Sequence, residues 1–204
     1  MSSRSNSAID CVIFDLGGVL IELAGPPLSP KHSQMSEPEI WQQWLRSSAV
    51  RLFESGQSSQ GEFAAALIKE MEIDQTPDSF LSYFKQWPVG FYAEVESLLG
   101  DLKNRVQLAC LSNTNLLHWE RFSQETTVIS QFDFVFASFK TGLLKPDLAA
   151  FEHAIAELDM RPERLLFFDD NSANVQSARS AGMRAELTRG PIEAATHLKR
   201  YGLL

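Results

Sequence analysis

The chain passes from an apolar run into a glycine turn at Phe14-Asp15-Leu16-Gly17-Gly18-Val19, which is the most informative segment of the sequence. The apolar residues at 11–14 are typical of a strand that is buried on both faces of a parallel sheet. Asp15 is therefore expected at the carboxyl end of a core strand, where open α/β sheets bind ligands. A carboxylate in that position can attack phosphorus and form an acyl phosphate. The same pattern also fits an aspartate that only organises the turn, with the glycines supplying the sharp bend.

Three further polar segments follow in order along the chain. Residues 106–111 form a second apolar run that ends in Ser112-Asn113-Thr114-Asn115, and residues 165–168 form a third that ends in Asp169-Asp170-Asn171. Between them, Lys145 lies in the predicted loop Gly142-Leu143-Leu144-Lys145-Pro146-Asp147. The strand ends thus present a carboxylate, a hydroxyl–amide pair and two more carboxylates, with a lysine on an intervening loop.

Taken in this order, the segments FDLGGVL, LSNTN, LLKPD and FFDDN resemble the four signature segments of the haloacid dehalogenase-like superfamily, a large group of aspartate-nucleophile phosphohydrolases. The resemblance covers nearly the whole chain. The segments are most similar to those of α-D-glucose-1-phosphate phosphatases and, more distantly, to the phosphatase domain of soluble epoxide hydrolases. The resemblance implies an α/β fold, with a doubly wound, Rossmann-like parallel sheet and a small inserted α-helical cap domain.

The resemblance also implies which residues bind and transfer the phosphoryl group. Asp15 is the expected nucleophile, and Lys145 is expected to place a positive charge against the phosphoryl oxygens. Ser112 and Asn113 are expected to donate hydrogen bonds to the same oxygens as their charge changes in the transition state. The substrate is expected to be a small phosphorylated metabolite, such as a sugar phosphate.

A metal ion is expected beside the nucleophile. The clustered carboxylates of Asp15, Asp169 and Asp170 would raise one another's pKa unless a cation offset their charge. Mg²⁺ favours oxygen ligands and commonly joins one or two carboxylates to a substrate phosphate. The resemblance implies Asp15, the backbone carbonyl of Gly17 and Asp170 as its ligands. Asp169 takes the place of the family's usual glycine and Asn174 that of its second acidic residue, and both are expected to support the site.

Gly17 is a departure from the family pattern. Most phosphatases of the family have an aspartate two residues after the nucleophile, where it acts as general acid and base, and here that position is a glycine. General acid–base catalysis contributes about 10²–10⁴-fold. We therefore expect a slow enzyme, an enzyme for activated leaving groups such as a sugar-1-phosphate, or an enzyme with a substitute base. The glucose-1-phosphate phosphatases that the chain resembles share this glycine.

Composition limits the partners. The chain has 204 residues, 44% of them hydrophobic and 22% charged, as in an ordinary water-soluble domain. Its net charge of −8 argues against binding to nucleic acid or to an acidic membrane surface. The two cysteines lie in apolar runs and are expected to be reduced. No apolar run is long enough to span a membrane, and residues 1–7 lack the apolar part of a signal peptide. We expect a cytoplasmic monomer or homodimer.

The remaining sequence predicts how the elements are ordered. Ser36-Glu37-Pro38-Glu39 and Ser59-Gln60-Gly61-Glu62 are capping boxes, and Thr76 precedes a proline at a third helix start. Three amphipathic helices between the first two core strands predict a cap domain at 24–90, inserted into a core of 1–23 and 91–204. Helices at 95–102, 148–158, 172–181 and 191–201 and a strand at 134–137 complete a strand–helix alternation.

Three functions remain open from the sequence. The first is a Mg²⁺-dependent phosphomonoesterase, and the second is a metal-independent 2-haloacid dehalogenase, whose relatives share the aspartate, the Ser-Asn pair and the lysine. The pair Asp169-Asp170 favours the first, because extra carboxylates would repel a haloacid. The third is a weak or inactive phosphate-binding protein, to which Gly17 points. Candidates for leaving-group selection are Glu22, His32, Trp41, Trp44 and Phe53. The helical spacing of the two tryptophans favours packing within the cap instead, and a solvated loop position is favoured for His32.

Overall fold

The computed structural model describes residues 9–28 and 33–204. The tail predicted at residues 1–7 and the candidate His32 therefore lie outside the described residues. The strands of the described part are β1 (Cys11–Phe14), β2 (Ile21–Leu23), β3 (Pro88–Phe91), β4 (Gln107–Ser112), β5 (Phe134–Ala137), β6 (Leu165–Asp169) and β7 (Arg184–Leu187).

Five of these strands form one parallel sheet in the order β5-β4-β1-β6-β7. The α-helices are α1 (Glu37–Arg46), α2 (Ser48–Glu54), α3 (Gln60–Glu70), α4 (Pro77–Gln86), α5 (Val95–Leu102), α6 (Leu116–Glu125), α7 (Ser138–Thr141), α8 (Leu148–Leu158), α9 (Ser172–Ser180) and α10 (Gly190–Arg200). The order places β1 at the centre, with later strands added on both sides of it. The expected doubly wound α/β fold is confirmed.

Both faces of the sheet are covered because successive side chains of a strand point to opposite faces. Val12 and Phe14 of β1 pack in one cluster with α5 and α10. Cys11 and Ile13 pack in a second cluster with α8 and α9. The apolar run of β1 is thus explained by burial on two sides. Cys11 and Cys110 are free and buried, as expected.

The helices α1–α4, here called the cap helices, form a third apolar cluster. Its centre is aromatic, with the Phe53 and Phe63 rings stacked at a centroid distance of 4.2 Å and Trp44 packed edge-on against Phe63. Both expected capping boxes are present, at the starts of α1 and α3. The Thr76 side chain accepts a hydrogen bond from Ser79 N at the start of α4.

Several elements of the described residues, among them α2, α7, β2, β3 and β7, were not predicted from the sequence. The cap helices number four rather than three, because α2 begins after Ser47, whose side chain accepts a hydrogen bond from Val50 N. Strands β2 and β3 pair antiparallel beside the insertion, so the predicted boundary between residues 90 and 91 falls within β3. The boundaries of the two domains stay a prediction. Strand β7, which pairs with β6 at one edge of the sheet, was also not predicted. Within the described residues, no helix has the length and apolarity needed to cross a membrane.

Candidate active site

The functional residues predicted from the sequence meet at the carboxyl edge of the sheet. Phe14, the last residue of β1, lies level with Cys110 on β4 and with Phe168 on β6. Asp15 follows it and donates its backbone N–H to the Phe168 carbonyl at 2.9 Å. The in-register strands therefore bring three strand ends together, and Asp15, Ser112, Lys145 and Asp169 are all buried there.

Lys145 joins two of the carboxylates. Its Nζ lies 2.9 Å from Asp15 Oδ1 and 2.6 Å from Asp169 Oδ2, and its side chain is almost fully buried. Burial alone would lower the pKa of Lys145, but attraction to Asp15 and Asp169 outweighs burial and raises this pKa above its ordinary value. Lys145 therefore stays a cation throughout the physiological range of pH.

Asp169 is held by several donors at once. Its Oδ1 accepts the Asn171 backbone N–H at 2.8 Å, and Oδ2 accepts Lys145 Nζ. The Asn174 Nδ2 lies 2.9 and 3.0 Å from the two oxygens. A carboxylate with both oxygens engaged in this way fixes the position of its partners, which fits the supporting roles expected of Asp169 and Asn174.

Asn113 is bonded to the backbone of Lys145. Its Nδ2 donates to the Lys145 carbonyl and its Oδ1 accepts the Lys145 N–H, each at 2.9 Å. This pairing fixes the loop that carries the lysine. Because an amide nitrogen carries two protons, one N–H remains for a phosphoryl oxygen, and the phosphate-binding role of Asn113 stays a prediction. Asn115, by contrast, caps α6 as its side chain accepts from His118 N.

The acidic residues fit a divalent cation. Asp15, Asp169 and Asp170 each offer a carboxylate oxygen, and these oxygens all lie within 4.8 Å of one another. Burial, together with repulsion from Asp169 and Asp170, raises the pKa of Asp15 to about 7 despite the ion pair with Lys145. Burial and repulsion from Asp169 raise the pKa of Asp170 as well. Three carboxylates against one ammonium leave excess negative charge, which a cation such as Mg²⁺ would offset.

The two glycines after the nucleophile have different roles. Gly18 has a φ of 73°, and a Cβ placed on it would lie 2.3 Å from Asp170 Oδ2. Only glycine permits that backbone conformation and that close approach without strain. A Cβ on Gly17 would meet nothing closer than Leu23 Cδ1 at 3.7 Å, so Gly17 is not required by packing.

A cavity of about 560 Å³ opens above the carboxyl edge. Trp41 and Trp44, candidates for leaving-group selection whose spacing favours packing within the cap, both line this cavity. Trp44 is also buried in the apolar cluster of the cap helices, as that spacing predicts. Phe53 is instead buried among the aromatic rings of the cap helices. Glu22 is exposed and lies outside the cavity lining.

Glu54, the last residue of α2, also lines the cavity and was missed by sequence reasoning. The available signal was weak: Ser47 precedes apolar residues at 49, 50 and 53, a spacing that fits one short helix. That spacing does not indicate that the end of the helix faces the nucleophile.

Fold and site together define a hydrolase with a doubly wound α/β fold, in which a strand-end aspartate, a lysine and an acidic pair share one edge of the sheet. A model of the haloacid dehalogenase-like hydrolases matches residues 9–182. The chain belongs to this family, and the resemblance noted in the sequence is confirmed.

The curated relatives that match the chain at low identity include three that each cover most of it. They are the drimenol cyclase of Aspergillus calidoustus (28% identical, 88% of this chain and 34% of the relative), the D-ribitol-5-phosphate phosphatase of Bacteroides thetaiotaomicron (23%, covering 84% and 87%) and the sesquiterpene phosphatase of Aspergillus oryzae (26%, covering 84% and 85%). The chain thus spans about a third of the cyclase and most of each phosphatase.

A solved structure has the same fold. A HAD family enzyme from Bacteroides thetaiotaomicron, crystallised as a magnesium complex, superposes with a TM-score of 0.78 at 22% identity. The match covers 95% of this chain and 100% of that one. The similarity therefore includes the cap helices as well as the sheet.

Proposed function

We propose that this protein is a Mg²⁺-dependent phosphatase that hydrolyses a phosphomonoester through a phosphoryl group held on Asp15. The observation that carries the proposal is the contact of Lys145 Nζ with both Asp15 and Asp169, beside Asp170, at the carboxyl edge of the sheet. Two of the three curated relatives described above are named as phosphatases, which supports the same reaction.

The contacts of Asp15 assign different roles to its two oxygens. Oδ1 accepts the Leu16 N–H at 2.7 Å and pairs with Lys145 Nζ. Oδ2 is then the atom that attacks phosphorus. Lys145 faces the phosphoryl oxygens with its positive charge, and Ser112 and Asn113 donate hydrogen bonds to those oxygens.

Asp15, Asp170 and the Gly17 backbone carbonyl would hold the Mg²⁺. When bound, the ion offsets the charge of the carboxylates and polarises the phosphoryl group. Asp169 and Asn174 would support the site without binding the cation, since Asp169 accepts a hydrogen bond from Lys145 Nζ and Asn174 Nδ2 donates to Asp169.

Two classes of leaving group fit the cavity. A sugar phosphate, favoured by the resemblance in sequence, would find polar partners in Arg51 and Glu54. The monophosphate of an apolar alcohol would instead pack on Trp41, Leu45 and Trp87, which also line the cavity. The relative named as a sesquiterpene phosphatase supports this second class.

A panel of phosphate esters tests the proposal. We would measure phosphate release with Mg²⁺ and with EDTA from p-nitrophenyl phosphate, both anomers of glucose-1-phosphate, ribitol-5-phosphate and farnesyl monophosphate. We expect phosphate release to require Mg²⁺. We also expect kcat/KM to differ between the esters with polar leaving groups and the ester with an apolar leaving group. Asp170→Asn should raise the Mg²⁺ concentration needed for half-maximal rate by at least about 10–100-fold, the range typical of residues that only support a metal ligand.

The other readings of the sequence give different outcomes in the same panel. Chloride release from a 2-chloroacid, unaffected by EDTA, would support a dehalogenase. Phosphate binding without turnover of p-nitrophenyl phosphate, whose leaving group hardly needs a proton, would support a non-catalytic protein. Either result would overturn the phosphatase assignment.

A further inference from the structure

The missing aspartate at position 17 raises the question of which group transfers protons in the cavity. Among the described residues, six side chains that line the cavity are titratable or charged: Asp15, Arg51, Glu54, His118, Lys145 and Asp170. Asp15 and Asp170 have roles as nucleophile and metal ligand in the proposed function. Lys145 is held as a cation between two carboxylates.

Arg51 and His118 are also unsuitable. Arg51 is paired with Asp147 at 2.8 Å, and a guanidinium does not give up its proton near neutral pH. His118 Nε2 lies 2.7 Å from the Phe84 carbonyl, so this nitrogen carries the proton, and Nδ1 then accepts from Asn115 Nδ2 at 3.1 Å. Burial lowers the pKa of His118 to about 4. Both ring nitrogens are therefore engaged in a neutral ring.

We propose that Glu54 is the general acid and base of this phosphatase and replaces the aspartate that is missing at Gly17. The inference rests on the proposed function. Among the described residues, Glu54 is the one carboxyl that the cap helices place in the cavity of the nucleophile.

The backbone at Glu54 is fixed to the core of the protein. The Ser138 hydroxyl lies 2.6 Å from the Glu54 carbonyl and accepts the Thr114 N–H at 2.9 Å, so it links the end of α2 to the loop after Ser112. Two residues further on, a Cβ on Gly56 would lie 2.5 Å from the Phe139 carbonyl oxygen, which shows how closely this turn meets α7. Proton transfer needs a well-placed donor, and these contacts fix the backbone from which the Glu54 side chain extends into the cavity.

The surroundings of Glu54 suit a group that both gives and takes a proton. Burial raises its pKa to about 7, with a further contribution from the negative charge of Asp15. Lys145 on the core and Arg51 on the same helix act in the opposite direction. A group whose pKa lies near the working pH can both donate and accept a proton efficiently.

The two half-reactions balance. In the first, Asp15 Oδ2 forms a bond to phosphorus, the bond to the alcohol oxygen breaks, and Glu54 gives its proton to that oxygen. In the second, Glu54 takes a proton from water as the water oxygen bonds to phosphorus. The bond from phosphorus to Asp15 then breaks, which restores both carboxyl groups to their starting states.

The test compares leaving groups in the variant Glu54→Gln. We expect kcat/KM for an alkyl phosphate to fall by about 10²–10⁴-fold, and that for p-nitrophenyl phosphate to fall far less. Because dephosphorylation still needs the base, p-nitrophenyl phosphate should give a burst of about one nitrophenol per active site. Mass spectrometry of the quenched protein should find the phosphoryl group on Asp15.

Two further variants serve as controls. Glu54→Asp should recover part of the alkyl phosphate activity, and Glu72→Gln, which changes an exposed carboxyl near the cap helices, should behave as the wild type. Equal losses for both substrates without a burst, or no loss at all, would overturn the role of Glu54. A wild-type protein that hydrolyses no phosphate ester would overturn the proposed function itself, so the two failures are distinguishable.

Discussion

Asp15 has two roles at the scale of single residues, since it is the proposed nucleophile and the buried partner of Lys145. In Asp15→Asn the amide can keep the Leu16 hydrogen bond but cannot attack phosphorus. We expect turnover of p-nitrophenyl phosphate to fall by at least about 10³-fold. The melting temperature should change little, because the substitution also removes repulsion from Asp169 and Asp170. Retention of a tenth of the wild-type rate would exclude Asp15 as nucleophile.

The proposed replacement of an aspartate at position 17 by Glu54 can be tested by restoring that aspartate. Gly17→Asp is sterically possible, because a Cβ there would lie 3.7 Å from Leu23 Cδ1. Combined with Glu54→Gln, it returns a carboxyl to the position that the family uses. We expect the double variant to hydrolyse an alkyl phosphate at least about tenfold faster than Glu54→Gln alone, within the range of general acid–base catalysis. In the wild-type background the gain in rate from Gly17→Asp should be small, because both carboxyl groups would perform the same proton transfer.

The comparison of the two backgrounds is measured as kcat on a single alkyl phosphate. The same large gain in both backgrounds would mean that Glu54 and position 17 act independently. That result would contradict the proposed substitution of one group for the other.

The glycine turn after β1 brings Gly18 into close contact with Asp170, on the loop after β6. In Gly18→Ala the Cβ would collide with Asp170 Oδ2 and the residue would keep a positive φ. We expect a loss of about 1–3 kcal/mol in the free energy of unfolding and weaker Mg²⁺ binding, because Asp170 must move. Urea unfolding and Mg²⁺ titration measure the two effects.

Gly17→Ala is the matched control for stability, as its Cβ has room. Its free energy of unfolding should stay within about 0.5 kcal/mol of the wild type. Similar losses in the two alanine variants would show that the turn as a whole, and not the contact with Asp170, sets the cost.

Sequence reasoning found the elements with strong local signals. The core strands and the ends that carry Asp15, Ser112 and Asp169 were predicted because buried strands leave long apolar runs followed by polar residues. Helices α1, α3 and α4 were found from their caps. By contrast, α2 has seven residues and β2 has three. Neither is long enough to show the repeat of apolar residues that distinguishes a helix or a strand from a loop.

The part of the site that the sequence could not predict depends on contacts between distant segments. Glu54 faces the cavity because Ser138, 84 residues later, lies within hydrogen-bond distance of its carbonyl. The pairing of Asn113 with the Lys145 backbone spans 32 residues. No periodicity or motif at either end encodes such contacts, since they follow from how the cap helices meet the sheet.

The stability of the whole molecule should depend on pH through the buried carboxyl groups. In the folded, metal-free protein, burial raises the pKa of Asp15 and of Glu54 to about 7, well above the ordinary values for these side chains. The folded state therefore keeps protons that the unfolded chain loses between about pH 4 and 7. Their contribution to stability is present below pH 4 and is lost as the pH rises through 7.

We expect the EDTA-treated protein to melt at a lower temperature at pH 8 than at pH 5, by at least about 3 °C, since 1 kcal/mol shifts a protein of this size by about 2–4 °C. Mg²⁺ should raise the melting temperature at pH 8 more than at pH 5, because it binds the ionised site of the folded state. Glu54→Gln should weaken the pH dependence, since glutamine does not ionise. An EDTA-treated protein that is more stable at pH 8, or a Mg²⁺ effect that is equal at both pH values, would contradict this account of the site's charge.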